Sequence, residues 1–257
     1  MAIGSYYVKV IITLAPGVRW GNLLATATVV MLFFISLGLV ITVVLVPLRH
    51  ALKDVGARLA TGGTAYFMLI GAGFMLIEIG LLQRFSVFLG HPIYSLSIVL
   101  FSLILSTGIG SLVSDSVRLE NRGRFVIWAI ATSGYILSQA FWVPPLLLSL
   151  DGGSLVLRGL VSLAVIMPAG LLMGYGFPTG MRFISAVDRK PTPWFWGING
   201  AAGVLASTVA VACSIAYGIG TTLALGAACY LLLIPAALVI GFPGARRGAV
   251  ASAPLPD

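Results

Sequence analysis

Long apolar runs separated by short polar segments dominate this chain. Seven runs approach or exceed the length of about 18 residues that predicts a membrane-spanning helix; they cover residues 23–46, 66–82, 93–113, 125–148, 159–175, 197–217 and 221–242. None shows the alternation of apolar and polar positions that a half-buried strand requires. Only helices and closed barrels satisfy the backbone in lipid, and barrel strands span only about ten residues. The pattern therefore predicts an all-α fold, a polytopic membrane helical bundle of seven transmembrane helices within residues 23–242.

The composition supports a lipid environment. Hydrophobic residues make up 59% of the chain and charged residues 9%, whereas a soluble domain carries about 25% charged residues. The lipid bilayer is therefore the expected partner for most of the surface. The formal net charge of +8 would favour nucleic acid in a soluble protein, but basic loops of membrane proteins contact anionic headgroups instead. We expect no nucleic-acid partner.

The basic residues also predict an orientation. Most of the 15 Lys and Arg residues lie in alternate loops on one side of the predicted bundle, and such loops face the cytoplasm. The N-terminus is therefore predicted outside and the C-terminus inside. Residues 1–22 are expected to form an extramembrane or interfacial segment. Residues 243–257, basic near the membrane and then rich in small residues and proline, are expected to form a disordered cytoplasmic tail.

One polar cluster is predicted near the outer end of the second span. Glu78 is the only carboxylate within an apolar run, and an ionisable group in hydrocarbon is costly enough to be a functional-site hypothesis by default. Gln83, Arg84 and His91 follow it closely in sequence. Plainer interpretations are also open, because Arg84 would reach the headgroups from this position and His91 would suit a turn. The cluster as a whole is the candidate ligand-binding site.

A second group of candidates lies towards the predicted cytoplasmic side. Pro178 predicts a helix break there, because proline lacks an N–H and disfavours helix before it. Arg182 and Trp196 fit the interfacial positions that basic and aromatic residues ordinarily take. Asn199 is harder to dismiss, because an amide within a span needs a partner. The alternative for this group is a broken-helix binding feature of the kind that transporters use.

The sequence contains no pattern typical of a metal or cofactor site. Cys213 and Cys229 both fall in apolar runs without a CxxC motif or a Cys/His cluster, so no metal site is expected. Pairs of glycines such as Gly71 and Gly73 lack the preceding strand of a nucleotide-binding loop. Close helix packing explains them better. We identify no catalytic residue and expect no cofactor, and the sequence leaves open whether the protein is an enzyme.

Three segments, residues 74–111, 173–182 and 193–207, resemble in the same order the membrane-helix region of bacterial spermidine-synthase-like integral membrane proteins. The resemblance implies a multi-pass protein of the bacterial inner membrane. It also implies a soluble aminopropyltransferase- or methyltransferase-type domain working beside the helices, hence a connection to polyamines. No polar interval between the spans is long enough to be that domain. The matched motif positions are Glu78, Gln83, Arg84, Gly90, His91, Pro92, Pro178, Trp196, Asn199 and Gly200.

Three functions remain open at this level. The first is a membrane module supporting a separately encoded soluble transferase, which should co-purify with it. The second is a carrier or binding protein for a small polar or cationic ligand, with Glu78 as counter-charge. The third is a structural membrane scaffold without a ligand. A stand-alone catalyst is less favoured than these, because no nucleophile–base pair is recognisable.

Overall fold

The computed structural model describes residues 16–45 and 55–242, and the regular structure within them is entirely helical. A π-helical segment, Val40–Leu45, follows the first α-helix directly. The α-helices of these residues are α1 (Pro16–Leu39), α2 (Ala57–Leu89), α3 (Pro92–Val113), α4 (Arg122–Ser149), α5 (Leu155–Gly174), α6 (Gly176–Ser185), α7 (Thr192–Tyr217) and α8 (Ile219–Ile240). The all-α prediction is confirmed.

Six helical stretches of the described residues are long and apolar enough to cross a membrane: α2, α3, α4, α5 together with α6, α7 and α8. They coincide with six of the seven predicted spans, which confirms a multi-pass bundle. The remaining predicted span, 23–46, falls on α1 and the π-helical segment, where the apolar stretch Ala27–Thr42 is shorter. The predicted tail 243–257 and residues 1–15 lie outside the described residues. The orientation in the membrane stays a prediction.

The second span is longer than its apolar run suggested. α2 begins at Ala57, about nine residues before the run itself, because the small residues that precede the run continue the helix. It ends at Gly90, whose φ of 73° is readily adopted only by glycine. α3 then begins at Pro92, with His91 as its N-cap. The connection between α2 and α3 is therefore only two residues long.

The bundle is built around α2, which packs mainly on α7 and α8, while α3 packs on α5 and α4 on α8. Glycines allow the closest approaches, as in other membrane bundles. A Cβ on Gly71 would overlap the backbone carbonyl of Asn199 in α7, and one on Gly174 would overlap that of Thr107 in α3. A Cβ on Gly170 would overlap the side-chain hydroxyl of Ser106, also in α3.

An aromatic cluster packs α6 against α2 and α4. The rings of Tyr66, Phe125 and Phe183, from α2, α4 and α6, are mutually 5.6–6.3 Å apart and almost fully buried. Phe242 completes the cluster, 5.3 Å from the ring of Phe183. Each such pair contributes about 0.5–1.5 kcal/mol beyond the burial of its area. The last turn of α6 is thereby held in a defined position beside α2.

Candidate functional site

A cavity of about 630 Å³ lies within the bundle between α3 and α7. α2 forms its inner wall, and the end of α5 and the start of α6 close one side. Its apolar lining includes Ile70, Phe74, Met75, Met173 and Phe177, and its polar lining consists of Thr107, Ser111, Asn199, Ser207 and Tyr230. No aspartate, glutamate, lysine or arginine of the described residues lines it.

The cavity exists because α3 and α7 both pack on other helices and scarcely touch each other. Glycines on its walls, such as Gly108, leave room where a side chain would fill it; a Cβ there would meet nothing within 4 Å. Ile104 on α3 and Val204 on α7 flank the gap with exposed fractions of 65% and 54%. Because both residues lie well inside membrane-spanning helices, the gap opens sideways towards lipid.

Two polar atoms of the cavity lining have no partner. The amide oxygen Oδ1 of Asn199 and the hydroxyl of Tyr230 are buried and make no hydrogen bond to any described residue. The hydroxyls of Thr107 and Ser207 are occupied locally, because they donate to the carbonyls of Leu103 and Val204, each at 2.7 Å. A buried polar group left unpaired costs about 1–3 kcal/mol. Asn199 and Tyr230 therefore each carry a buried polar group that the described residues leave unpaired.

A one-residue interruption at Tyr175 separates α5 from α6, three residues before Pro178. Pro178 itself lies in the first turn of α6, where its missing N–H would have had no helical partner. Two side chains from other helices satisfy carbonyls around the break. The Tyr66 hydroxyl donates to the carbonyl of Gly176 at 2.9 Å, and Nε1 of Trp128 donates to that of Leu172 at 2.8 Å. The break therefore has a fixed geometry and forms part of the cavity wall.

Arg182 lies outside the cavity lining and ties α6 to the connection between α3 and α4. Its Nη1 is 3.1 Å from Oδ1 of Asp115, and its Nε is 4.0 Å from Oε1 of Glu120. Nη2 also donates to the hydroxyl of Thr179 at 3.2 Å. These contacts hold the guanidinium beside Asp115, Glu120 and Thr179, away from the cavity.

Trp196 also lies outside the cavity lining, with 59% of its surface exposed. Its ring makes an edge contact with Phe177, the centroids being 4.5 Å apart. Phe177 in turn lines the cavity, so Trp196 supports the wall from outside. Of the candidates predicted towards the cytoplasmic side, Pro178 and Asn199 line the cavity, and Arg182 and Trp196 do not.

The four residues of the predicted outer cluster do not come together through any hydrogen bond or ion pair of the described chain. Glu78 is half-buried and makes neither kind of contact with a described residue. Nη1 of Arg84 donates to the carbonyl of Gln139 at 3.2 Å, and Oε1 of Gln83 is buried without a partner. Nδ1 of the exposed His91 accepts from the N–H of Ile93 at 3.4 Å, as a helix cap. None of the four lines the cavity.

Sequence reasoning missed Tyr230 and Thr107. Tyr230 could have been found, because its hydroxyl is an isolated polar group in the middle of the apolar run 221–242. Thr107 could not, since a hydroxyl that bonds to its own helix gives no signal of a site. Asp115 and Glu120, the partners of Arg182, were also missed because they lie outside the apolar runs.

Among residues 16–45 and 55–242, no group of three or more His, Cys, Asp and Glu side chains could hold a metal ion. The cavity lining likewise offers hydroxyls, an amide and apolar surface rather than metal ligands. Comparison of the chain with protein-family models, with curated proteins and with solved structures found no match. The resemblance to the membrane region of spermidine-synthase-like proteins therefore stays a prediction.

Proposed function

We propose that this chain is a membrane module of the bacterial inner membrane that binds a small amphipathic molecule in the cavity between α3 and α7. The proposal rests on one observation: a cavity large enough for a ligand is lined by residues whose polar groups lack hydrogen-bond partners in the described chain. The cavity of about 630 Å³ is lined by Asn199 and Tyr230, whose amide oxygen and hydroxyl are buried without a partner among the described residues. Ligand sites are typically about 300–1,000 Å³, mostly apolar, with a few convergent polar groups.

The direction of the opening favours a ligand that arrives through the bilayer. Ile104 and Val204 flank a gap that faces lipid, so a ligand enters from the bilayer without passing through water. The apolar walls suit a hydrocarbon chain, and Asn199 and Tyr230 suit a head that both donates and accepts hydrogen bonds. A hydroxyl or an amide group has this property. Because no carboxylate lines the cavity, we propose a neutral polar head rather than a cation paired with Glu78.

1-Dodecanol, with dodecane as the matched molecule lacking the hydroxyl, tests this proposal. The thermal unfolding of the purified protein in detergent micelles is measured with each compound. Dodecanol is expected to raise the midpoint more than dodecane does. Tyr230→Phe is expected to weaken dodecanol binding about threefold, since a hydrogen bond between side chains in a membrane protein averages about 0.6 kcal/mol. Tyr217→Phe, at a tyrosine that is outside this cavity and exposed, is the matched control and should bind as the wild type does.

A blocking variant separates ligand binding from changes in stability. Gly108 lines the cavity and faces open space, so Gly108→Leu is expected to fill the cavity without displacing a neighbour. It should fold normally and lose the response to dodecanol. Equal stabilisation by dodecanol and dodecane, or an undiminished response in both Gly108→Leu and Tyr230→Phe, would contradict the proposal.

Support of a separately encoded soluble transferase stays a prediction from the resemblance, as does a purely structural scaffold. Affinity purification of the chain from its native membrane, followed by identification of the proteins retained, tests the first. Recovery of a transferase in stoichiometric amount would favour it, and it would be compatible with a ligand in the cavity. A protein that neither retains a partner nor responds to dodecanol would fit the scaffold.

A further inference from the structure

A second cavity, of about 650 Å³, opens at the end of the bundle where α3 is connected to α4. Three arginines line it: Arg118 in the connection, and Arg122 and Arg124 in the first turn of α4. Leu238 and Phe242, at the end of α8, supply an apolar surface beside them. This cleft shares no lining residue with the cavity between α3 and α7, so the inference is independent of the function proposed above.

The positive charge of this cleft is not balanced within the described residues. All three arginine side chains are exposed, and none makes a hydrogen bond or an ion pair with a described residue. The single carboxylate that lines the cleft, Glu120, already lies 4.0 Å from Nε of Arg182. Asp115, the other nearby carboxylate, pairs with Arg182 as well. Three arginines therefore line the cleft without a carboxylate partner in the part of the chain that the structure describes.

Guanidinium groups bind phosphate through paired N–H donors and retain their charge at any physiological pH. The apolar part of the cleft places a second requirement on the ligand, which must also offer an apolar group. Leu238 is exposed, while Phe242 is almost buried and packs against Phe125, so a hydrocarbon chain lying beside α8 would meet apolar surface next to the arginines. A phosphate with an attached acyl chain fits both parts.

We propose that the cleft lined by Arg118, Arg122 and Arg124 binds the phosphate group of an anionic phospholipid, whose acyl chain lies along α8 at Leu238. The same chemistry would also recognise a water-soluble phosphate compound. Attachment through the acyl chain is what distinguishes the lipid from that alternative.

Retention of lipid by the intact protein tests the proposal. The protein is reconstituted in nanodiscs of equal parts phosphatidylglycerol and phosphatidylcholine, released, and the retained lipids are counted by native mass spectrometry. The wild type is expected to retain phosphatidylglycerol preferentially. The double variant Arg122→Gln/Arg124→Gln is expected to reduce that preference at least fivefold, the effect anticipated for one basic residue near an anionic surface. Arg189→Gln, at an exposed arginine outside the cleft, is the matched control and should retain the preference.

A competition arm distinguishes the two sources of phosphate. Inorganic phosphate added at millimolar concentration is expected to leave the retained phosphatidylglycerol unchanged. Displacement of the lipid by inorganic phosphate would assign the arginines to a water-soluble phosphate compound and overturn the lipid assignment. The same preference for phosphatidylglycerol in the wild type and the double variant would overturn the site itself. Because the substituted side chains are exposed, the helical content measured by circular dichroism should not change.

Discussion

Gly71 offers the sharpest test of how α2 and α7 pack. A Cβ at this position would overlap the backbone carbonyl oxygen of Asn199 and lie 3.1 Å from its side-chain oxygen. Contacts between carbon and a carbonyl oxygen ordinarily lie at about 3.3–3.6 Å. Gly71→Ala must therefore push α2 and α7 apart by about an ångström, and it must move Asn199 with α7. The backbone of α7 has no alternative rotamer that would relieve this overlap.

Gly108→Ala is the matched control, because a Cβ there meets nothing within 4 Å. Both substitutions replace a glycine within a helix, and alanine favours the helix by about 1 kcal/mol in each case. That contribution cancels when the two variants are compared. Overpacking costs about 1–3 kcal/mol, so Gly71→Ala should be less stable than Gly108→Ala by about that amount.

The free energy of unfolding of both variants is measured by titration with sodium dodecyl sulfate in mixed micelles, followed by circular dichroism. The expected order is Gly108→Ala, then wild type, then Gly71→Ala. Equal stability of the two variants would refute the reasoning, because it would mean that the backbone of α7 does not lie against Gly71. Gly71→Ala should also weaken dodecanol binding, since Asn199, which lines the cavity, moves with α7.

Three further outcomes are expected. Tyr66→Phe removes the hydrogen bond to the carbonyl at the start of α6 and should destabilise the protein by about 0.6 kcal/mol, up to about 1.7, whereas Tyr217→Phe should not; the same titration measures both. Glu78→Leu should leave the response to dodecanol unchanged, because Glu78 does not line the cavity. A lost response in this assay would show that Glu78 takes part in binding. Single cysteines at Val87 and Ser185 should react from opposite sides of the membrane with an impermeant thiol reagent, the first from outside intact cells; labelling of both from one side would disprove the topology.

The helices were predictable because a membrane span is a local property of the sequence. A run of apolar residues long enough to cross lipid has no other stable backbone arrangement. The bounds of the helices were less predictable, since an apolar run shows which residues face lipid and does not show where the helix begins. α2 starts at Ala57, through small and polar residues that its hydropathy gave no reason to include.

The candidate site was only partly predictable, because it depends on contacts between distant segments. Asn199 could be singled out, since an amide in an apolar run is unusual wherever it packs. The gap between α3 and α7 could not, because it results from what each helix packs against elsewhere. The same argument applies to Glu78, which was singled out from its cost in hydrocarbon, whereas the cavity formed beside other residues of the same helix. A functional role of Glu78 stays a prediction.

The length of α2 makes the bundle sensitive to the thickness of the membrane around it. Between Arg58 and Arg84 lie about 25 residues whose only charge is Glu78, a stretch of about 38 Å along the helix axis. The hydrocarbon layer is about 30 Å thick, so an upright α2 would extend beyond it by about 8 Å. A tilt of about 40° removes this mismatch, and thicker bilayers demand less tilt. Because α7 rests on α2 at Gly71, a change of tilt is transmitted to the wall that carries Asn199. The affinity of the cavity should thus vary with the acyl-chain length of the surrounding lipid.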